Sequence, residues 1–255
     1  MEKVIIVTQA RIGSTRLPSK VLFPIADDTL LGIHLKRLKK SKIASDIVVA
    51  TTFEDKAEQI VSIAQQNGVR YFQGSTDNVL DRFYQAVKLE QPDYVVRVTS
   101  DCPLIDAALL DKIIEMAIKY KLDYCSNTLI EAYPDGQDVE VIKWRAFKNS
   151  WKYAKTKLQL EHVTPFIREN TDFYGKKLFS SMNFPCEEDY SHIRMTVDES
   201  DDFNAMELIV NELGIDKNWK TYTQYIIDNP KKFLNQQITR NEGYLKSINQ
   251  NLQNG

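Results

Sequence analysis

The sequence predicts an α/β protein with a mainly parallel sheet flanked by helices and an irregular insertion in its middle. Two observations carry this. Short continuous apolar runs, the mark of parallel strands buried on both faces, recur through the first half. Segments with helical spacing separate them, giving a βαβαβαβα order.

The elements follow in order. Val4–Val7 is the first buried strand, and Leu30–Leu38 a helix with Leu31, Leu35 and Leu38 on one face. Ile47–Ala50 is a second strand. Asp55–Asn67 is an amphipathic helix with Ile60, Ile63 and Ala64 inward, stopped by Gly68. Val69–Phe72, the helix Val79–Leu89, the strand Tyr94–Val98 and the helix Ala107–Tyr120 complete the alternation. From about Asp123 to Asp189 the pattern loosens, with a strand over Val139–Ile142, a helix over Trp144–Tyr153 and another from Gln159. Such a departure marks an acceptor-binding or dimerisation arm. Ile193–Asp198 reads as a strand, and Asn204–Leu213 as a helix capped by Gly214. Residues 216–255 are polar with helical tendency, and Asn249–Gly255 reads as a frayed end. The expected organisation is one domain over 1–255, with 123–189 inserted and 216–255 appended.

Composition excludes several classes. With 33 Lys+Arg against 35 Asp+Glu, the net charge is −2. Sequence-independent nucleic-acid binding needs a basic face, so it is not expected. No apolar run approaches the roughly 20 residues of a membrane span, and Val4–Val7 is short for a secretory signal, so a cytoplasmic protein is expected. Cys102, Cys125 and Cys186 are too scattered for a disulfide framework or a zinc site.

The most informative stretch is Gln9-Ala10-Arg11-Ile12-Gly13-Ser14-Thr15-Arg16-Leu17-Pro18-Ser19-Lys20, directly after the first strand. It sets Arg11, Arg16 and Lys20 beside hydroxyls and one of only nine glycines. Ligands of open α/β sheets bind at this carboxyl edge. Arg offers phosphate a planar fork, and Lys a mobile point charge. One charge pair at 4 Å is worth ~4 kcal/mol at an effective dielectric of 20. The loop matches neither G-x-x-x-x-G-K-[ST] nor G-x-G-x-x-G, so neither a Walker-type nor a dinucleotide site is expected. Asp101, where the Tyr94–Val98 strand ends, suits a magnesium ligand, while Asp106 suits the cap of the next helix. Asp198 follows the later strand-like run, and Asp202 fits a helix N-terminus. Arg82 can reach a nucleotide or pair with Asp77 or Asp81.

The string Ala10-Arg11-x-Gly13-Ser14-Thr15-Arg16-Leu17-Pro18-x-Lys20 resembles the opening signature of the sugar cytidylyltransferases, the spore-coat polysaccharide group above all, and with it the CMP-Kdo and CMP-sialic acid synthetases. Gly74–Arg82, Pro134–Glu140, Glu161–Ile167, Val197–Asp202 and Asn241–Ser247 are similar to further segments of that group, from Val4 to about Ser247. Two positions depart from it: Ser19 stands where Gly is usual, and Leu160 where an Arg commonly precedes the Glu.

The resemblance implies a Rossmann-like, glycosyltransferase-A-like fold and a CTP-dependent transfer of CMP to a sugar-acid or related polysaccharide precursor. It implies nucleotide contacts from Gln9, Ala10, Arg11, Gly13, Ser14, Arg16, Lys20, Gly74, Asn78, Arg82 and Thr99. Magnesium would sit on Asp101 and Asp198, and the acceptor near Asp138, Glu140 and His162. Arg11, Lys20 and Asp101 would carry catalysis, in a homodimer. Two rivals stand beside it: a glycosyltransferase using a nucleotide-sugar donor, and a nucleotide-binding protein without turnover. The basic loop favours a free triphosphate.

Overall fold

A computed structural model of the chain describes residues 2–240. Strand β1 (Val4–Gln9) leads through the basic loop and a 3-10 turn (Lys20–Leu22) into a small hairpin, β2 (Pro24–Ile25) and β3 (Asp28–Thr29). Helix α1 (Leu30–Leu38), β4 (Asp46–Thr52), α2 (Ala57–Gln66), β5 (Arg70–Gly74), α3 (Val79–Val87), β6 (Tyr94–Thr99) and α4 (Ala107–Lys119) form the alternating half. The middle supplies β7 (Tyr124–Ser126), β8 (Glu140–Lys143), α5 (Trp144–Tyr153), α6 (Lys157–His162), α7 (Pro165–Glu169) and β9 (Ser181–Asn183). Helices α8 (Ser200–Leu213) and α9 (Trp219–Asp228) follow. The expectations for Asn241–Ser247 and Asn249–Gly255 lie outside the described residues.

The seven-stranded sheet runs β5-β4-β1-β6-β8-β7-β9. Strands β5, β4, β1 and β6 are parallel, whereas β8 is antiparallel to both β6 and β7. The strand order reverses between β1 and β6, the switch point where the carboxyl ends open a ligand crevice. Strand β1 is buried on both faces, as its unbroken apolar run requires. Val4 and Ile6 pack into one core with Leu31, Leu35, Ile113 and Ile114 of α1 and α4. Ile5 and Val7 pack into the other with Leu80, Phe83 and Phe147 of α3 and α5. Each such fully buried side chain stabilises the fold by about 1.5–3 kcal/mol.

Several element ends differ from the sequence expectation, and two of the differences have a clear local cause. Helix α2 starts at Ala57, because Lys56 adopts the left-handed conformation (φ 65°) and cannot continue a right-handed helix backwards to Asp55. Ile193–Asp198 is extended but forms no named strand; its single ladder bridge joins Arg194 to Asp135. The alternation there is real, since Ile193, Met195 and Val197 enter a third core beneath α8 and α9. The backbone, however, bonds to loops. Asp106 caps α4 as expected, its Oδ1 accepting from the Ala108 and Leu109 amides at 2.9 and 3.0 Å.

His34 of α1 ties the crevice floor together. Its ring bonds the Thr8 hydroxyl through Nε2 (2.9 Å) and the Cys102 carbonyl through Nδ1 (3.0 Å). A carbonyl only accepts, so Nδ1 carries the proton and Nε2 accepts from Thr8. Complete burial lowers its pKa from 6.5 to about 4. The unfolded chain therefore binds a proton that the folded chain refuses between those values. The His34 contribution is complete above pH ~6.5 and lost as pH falls towards ~4, to a ceiling of about 3 kcal/mol. Urea titrations across pH 7 to 4.5 should show this loss, and His34→Gln should flatten it.

Candidate active site

The site is built at the carboxyl ends of β1 and β6. Gln9 lies opposite Thr99, and Ser100 donates through its amide and hydroxyl to the Gln9 carbonyl at 3.3 and 2.6 Å. Ala10 is buried against the sheet end, its amide bonded to the Ala50 carbonyl at 3.2 Å. The basic loop then closes on itself, with the Ser14 and Ser19 amides both donating to the Ile12 carbonyl at 2.8 and 3.0 Å. Ser19 has φ 59° and ψ 18°. Glycine adopts that left-handed geometry freely, whereas a serine there costs about 1 kcal/mol. The turn drives Lys20 inward.

Lys20 is buried, and its Nζ donates to Asp101 Oδ2 (3.1 Å), Asp198 Oδ1 (2.8 Å) and the Val197 carbonyl (2.7 Å). Burial opposes its charge, but Asp101 and Asp198 outweigh that and raise its pKa. Burial likewise opposes the Asp101 carboxylate, but Lys20, with a hydrogen bond from Thr99, holds it well below the usual carboxylate range. Arg16 adds a second cation on Asp198 Oδ1 at 3.0 Å. Asp198 reaches Asp101 across 97 positions of chain because the Val197 amide bonds the Asp101 carbonyl at 2.8 Å.

The opposite flank is cationic. Arg82 on α3 is 1% exposed; its Nη1 donates to the Ser75 carbonyl at 2.7 Å and its buried Nε has no hydrogen-bond partner. Burial, then the neighbouring Arg11, pushes its pKa down to about 10. Asp81 bonds Gln85 and Trp151 instead, so the same-helix pair is not what holds Arg82. Gly74 leaves room for this packing, since a Cβ there would lie 2.8 Å from the Phe72 ring. Asn78 caps α3, accepting from the Asp81 amide at 2.9 Å. Gly13 lies against the Glu54 carboxylate, which a Cβ would overlap. Sequence reasoning passed over Glu54, and nothing in the residues around it signals the contact.

The proposed acceptor residues take different partners. Glu140 is buried, its carboxylate held by Arg97 and by the Tyr124 hydroxyl (2.5 Å). Asp138 precedes β8 and pairs with Arg240 at 2.7 Å. Asp138 lies outside the strand, which begins at Glu140. His162 ends α6; burial lowers its pKa, with Arg97 and Arg11 acting in the same direction. Half-buried Arg97 holds Glu140, Arg240 holds Asp138, and the buried Arg194 holds Asp135, Asp198 and Asp202; none of the three arginines is marked by its sequence context.

The switch point of the mainly parallel sheet thus brings together a basic loop, a buried lysine and two carboxylates. The chain matches the cytidylyltransferase family over residues 4–246 and belongs to it. It is a CTP-dependent nucleotidyltransferase. The spore coat polysaccharide biosynthesis protein SpsF of Bacillus subtilis is 30% identical over 219 residues, 84% of this chain and 89% of that one. A 3-deoxy-manno-octulosonate cytidylyltransferase of Bdellovibrio bacteriovorus is 32% identical over 118 residues, 46% of each chain. The structure of a cytidylyltransferase from Leptospira borgpetersenii superposes with a TM-score of 0.87 at 31% identity, covering 94% of this chain and 100% of that one.

Proposed function

We propose that this enzyme transfers CMP from CTP to a hydroxyl of a sugar acid or related surface-polysaccharide precursor, releasing pyrophosphate. One observation carries the reading: Lys20 Nζ bridges Asp101 and Asp198 at the β1–β6 switch point. Arg11, Arg16 and Lys20 hold the triphosphate, with Gly13, Ser14 and the loop amides closing round it. Gln9, Ala10, Gly74, Asn78, Arg82 and Thr99 form the walls of the nucleotide site, and Arg82 offers an anion its unfilled Nε. The acceptor hydroxyl gives up its proton to solvent and its oxygen bonds the α-phosphorus as the α–β anhydride breaks, so pyrophosphate leaves with the electron pair. No covalent enzyme intermediate is needed; the residues act by positioning and charge neutralisation.

The donor set fits a divalent cation. Asp101 and Asp198 supply hard carboxylate oxygens that already converge on one positive charge. When bound there, magnesium neutralises phosphate charge and polarises the attacking hydroxyl. In this reading the acceptor lies towards Asp138, His162 and the Arg97–Glu140 pair. The sugar acid in the name of the Bdellovibrio relative supports an acidic acceptor.

A homodimer in the cytoplasm completes the reading. Exposed Phe173, Tyr174 and Leu178 near edge strand β9 support the dimer, and no described helix is long and apolar enough to cross a membrane. The test is pyrophosphate release from CTP and Mg2+ with a panel of nonulosonic acids, Kdo-like acids, polyols and neutral sugars. Release with an acidic acceptor is expected; CTP binding with no release across the panel refutes the proposal. Sedimentation of the same preparation reads the dimer.

A further inference from the structure

Behind the site lies an ion-pair network that no step above uses. Arg194 is buried, and its guanidinium meets three carboxylates. Nη1 donates to Asp135 Oδ2 at 2.8 Å. Nε and Nη2 grip both oxygens of Asp202 at 2.8 Å each. Nη2 also reaches Asp198 Oδ2 at 3.2 Å. Asp198 therefore has one oxygen turned to Lys20 and Arg16 and the other held from behind. Asp202 fixes the backbone as well, because its Oδ2 accepts from the Asp198 and Glu199 amides at 2.9 and 3.0 Å.

What holds Arg194 comes from the far end of the chain. Gln236 takes both main-chain groups of Arg194: its Oε1 accepts from the amide at 2.8 Å, and its Nε2 donates to the carbonyl at 2.9 Å. One glutamine amide thus supplies what a neighbouring strand supplies elsewhere, along a stretch that lacks one. Asn235, 1% exposed, donates to Asp202 Oδ1 at 3.1 Å. Neither Asn235 nor Gln236 is bonded to Lys20, Asp101 or Asp198.

We propose that Arg194 is a positioning residue that sets the Asp198 carboxylate for cation binding, and that the Asn235–Gln236 segment is part of the same device. The inference rests on the reading of Asp101 and Asp198 as the cation-binding pair. A carboxylate held in one rotamer by hydrogen bonds loses less freedom on binding a metal, and partners behind a ligand are typically worth ten- to a hundredfold in affinity. Asp202 accounts for the order of the chain. It anchors the Arg194 fork bidentately, so the fork cannot swing towards Asp198 or away from it.

The experiment measures Mn2+ binding to the full chain by electron paramagnetic resonance of the free ion, in the presence of CTP. Metal-free CTP affinity is measured in parallel. Arg194→Lys keeps the charge but loses the fork. Gln236→Ala removes the backbone clasp without leaving a buried charge, and decides the matter if Arg194→Lys does not fold. Both are expected to weaken Mn2+ binding about tenfold while metal-free CTP affinity moves less than twofold. Wild-type Mn2+ affinity in the folded variants, with only a lower melting temperature, overturns the inference and leaves the site reading intact. If wild type binds no Mn2+, or Asp198→Asn binds it as well as wild type, the site reading itself fails and takes this inference with it.

Discussion

Lys20→Met is expected to lower kcat/KM at least a hundredfold, about 2.7 kcal/mol of transition-state stabilisation. The substitution keeps most of the apolar stem and removes the ammonium. Lys20 is the buried cation shared by Asp101 and Asp198, and the one positioned to pass from carboxylates to phosphates when CTP arrives. The variant has a second signature. Without the ammonium Asp101 loses its paired cation while Asp198 keeps Arg16 and Arg194, so the folded state loses stability. Mg2+ should then raise the melting temperature of Lys20→Met more than that of wild type. Calorimetry with and without Mg2+ checks this, and a variant with wild-type turnover and no added response to Mg2+ contradicts it.

Asp101→Asn should cost a comparable factor in turnover, again a hundredfold or more. The amide has nearly the shape of the carboxylate but not its charge, so cation recruitment fails while the turn after β6 is retained. The diagnostic lies in binding. Lys20 loses one of its two carboxylate anchors, so metal-free CTP affinity should hold or increase. Titration calorimetry in the presence of a chelator separates the outcomes. Weaker metal-free CTP binding with unchanged turnover would place Asp101 outside the chemistry.

The alternating half of the fold was legible because each central strand is buried on both faces and announces itself as an unbroken apolar run. The basic loop was legible for the same local reason: its cations, hydroxyls and glycine lie within one turn of chain after β1. Ser19 could not be read as a left-handed position, a conformation met at a modest cost by a residue with a Cβ. Ile193–Asp198 misled because period-two burial marks any extended segment facing a core, whether or not a ladder partner exists on its edge. Here the partners are the Asp135 turn, the Asp101 carbonyl and the Gln236 side chain. Arg194 could not be read at all, since its carboxylates lie 59, 4 and 8 positions away and its backbone clasp 42. Asp138 and Glu140 looked alike in sequence, yet each takes a different arginine, one from β6 and one from the C-terminal segment.

The most direct measurement is a crystal structure of the full chain with CTP and Mn2+, read by anomalous scattering. A manganese peak is expected between the Asp101 and Asp198 carboxylates, with Lys20 Nζ turned from them onto a phosphate oxygen. A manganese peak elsewhere, with Lys20 still bridging the two carboxylates and the triphosphate away from the Gln9–Lys20 loop, would contradict it.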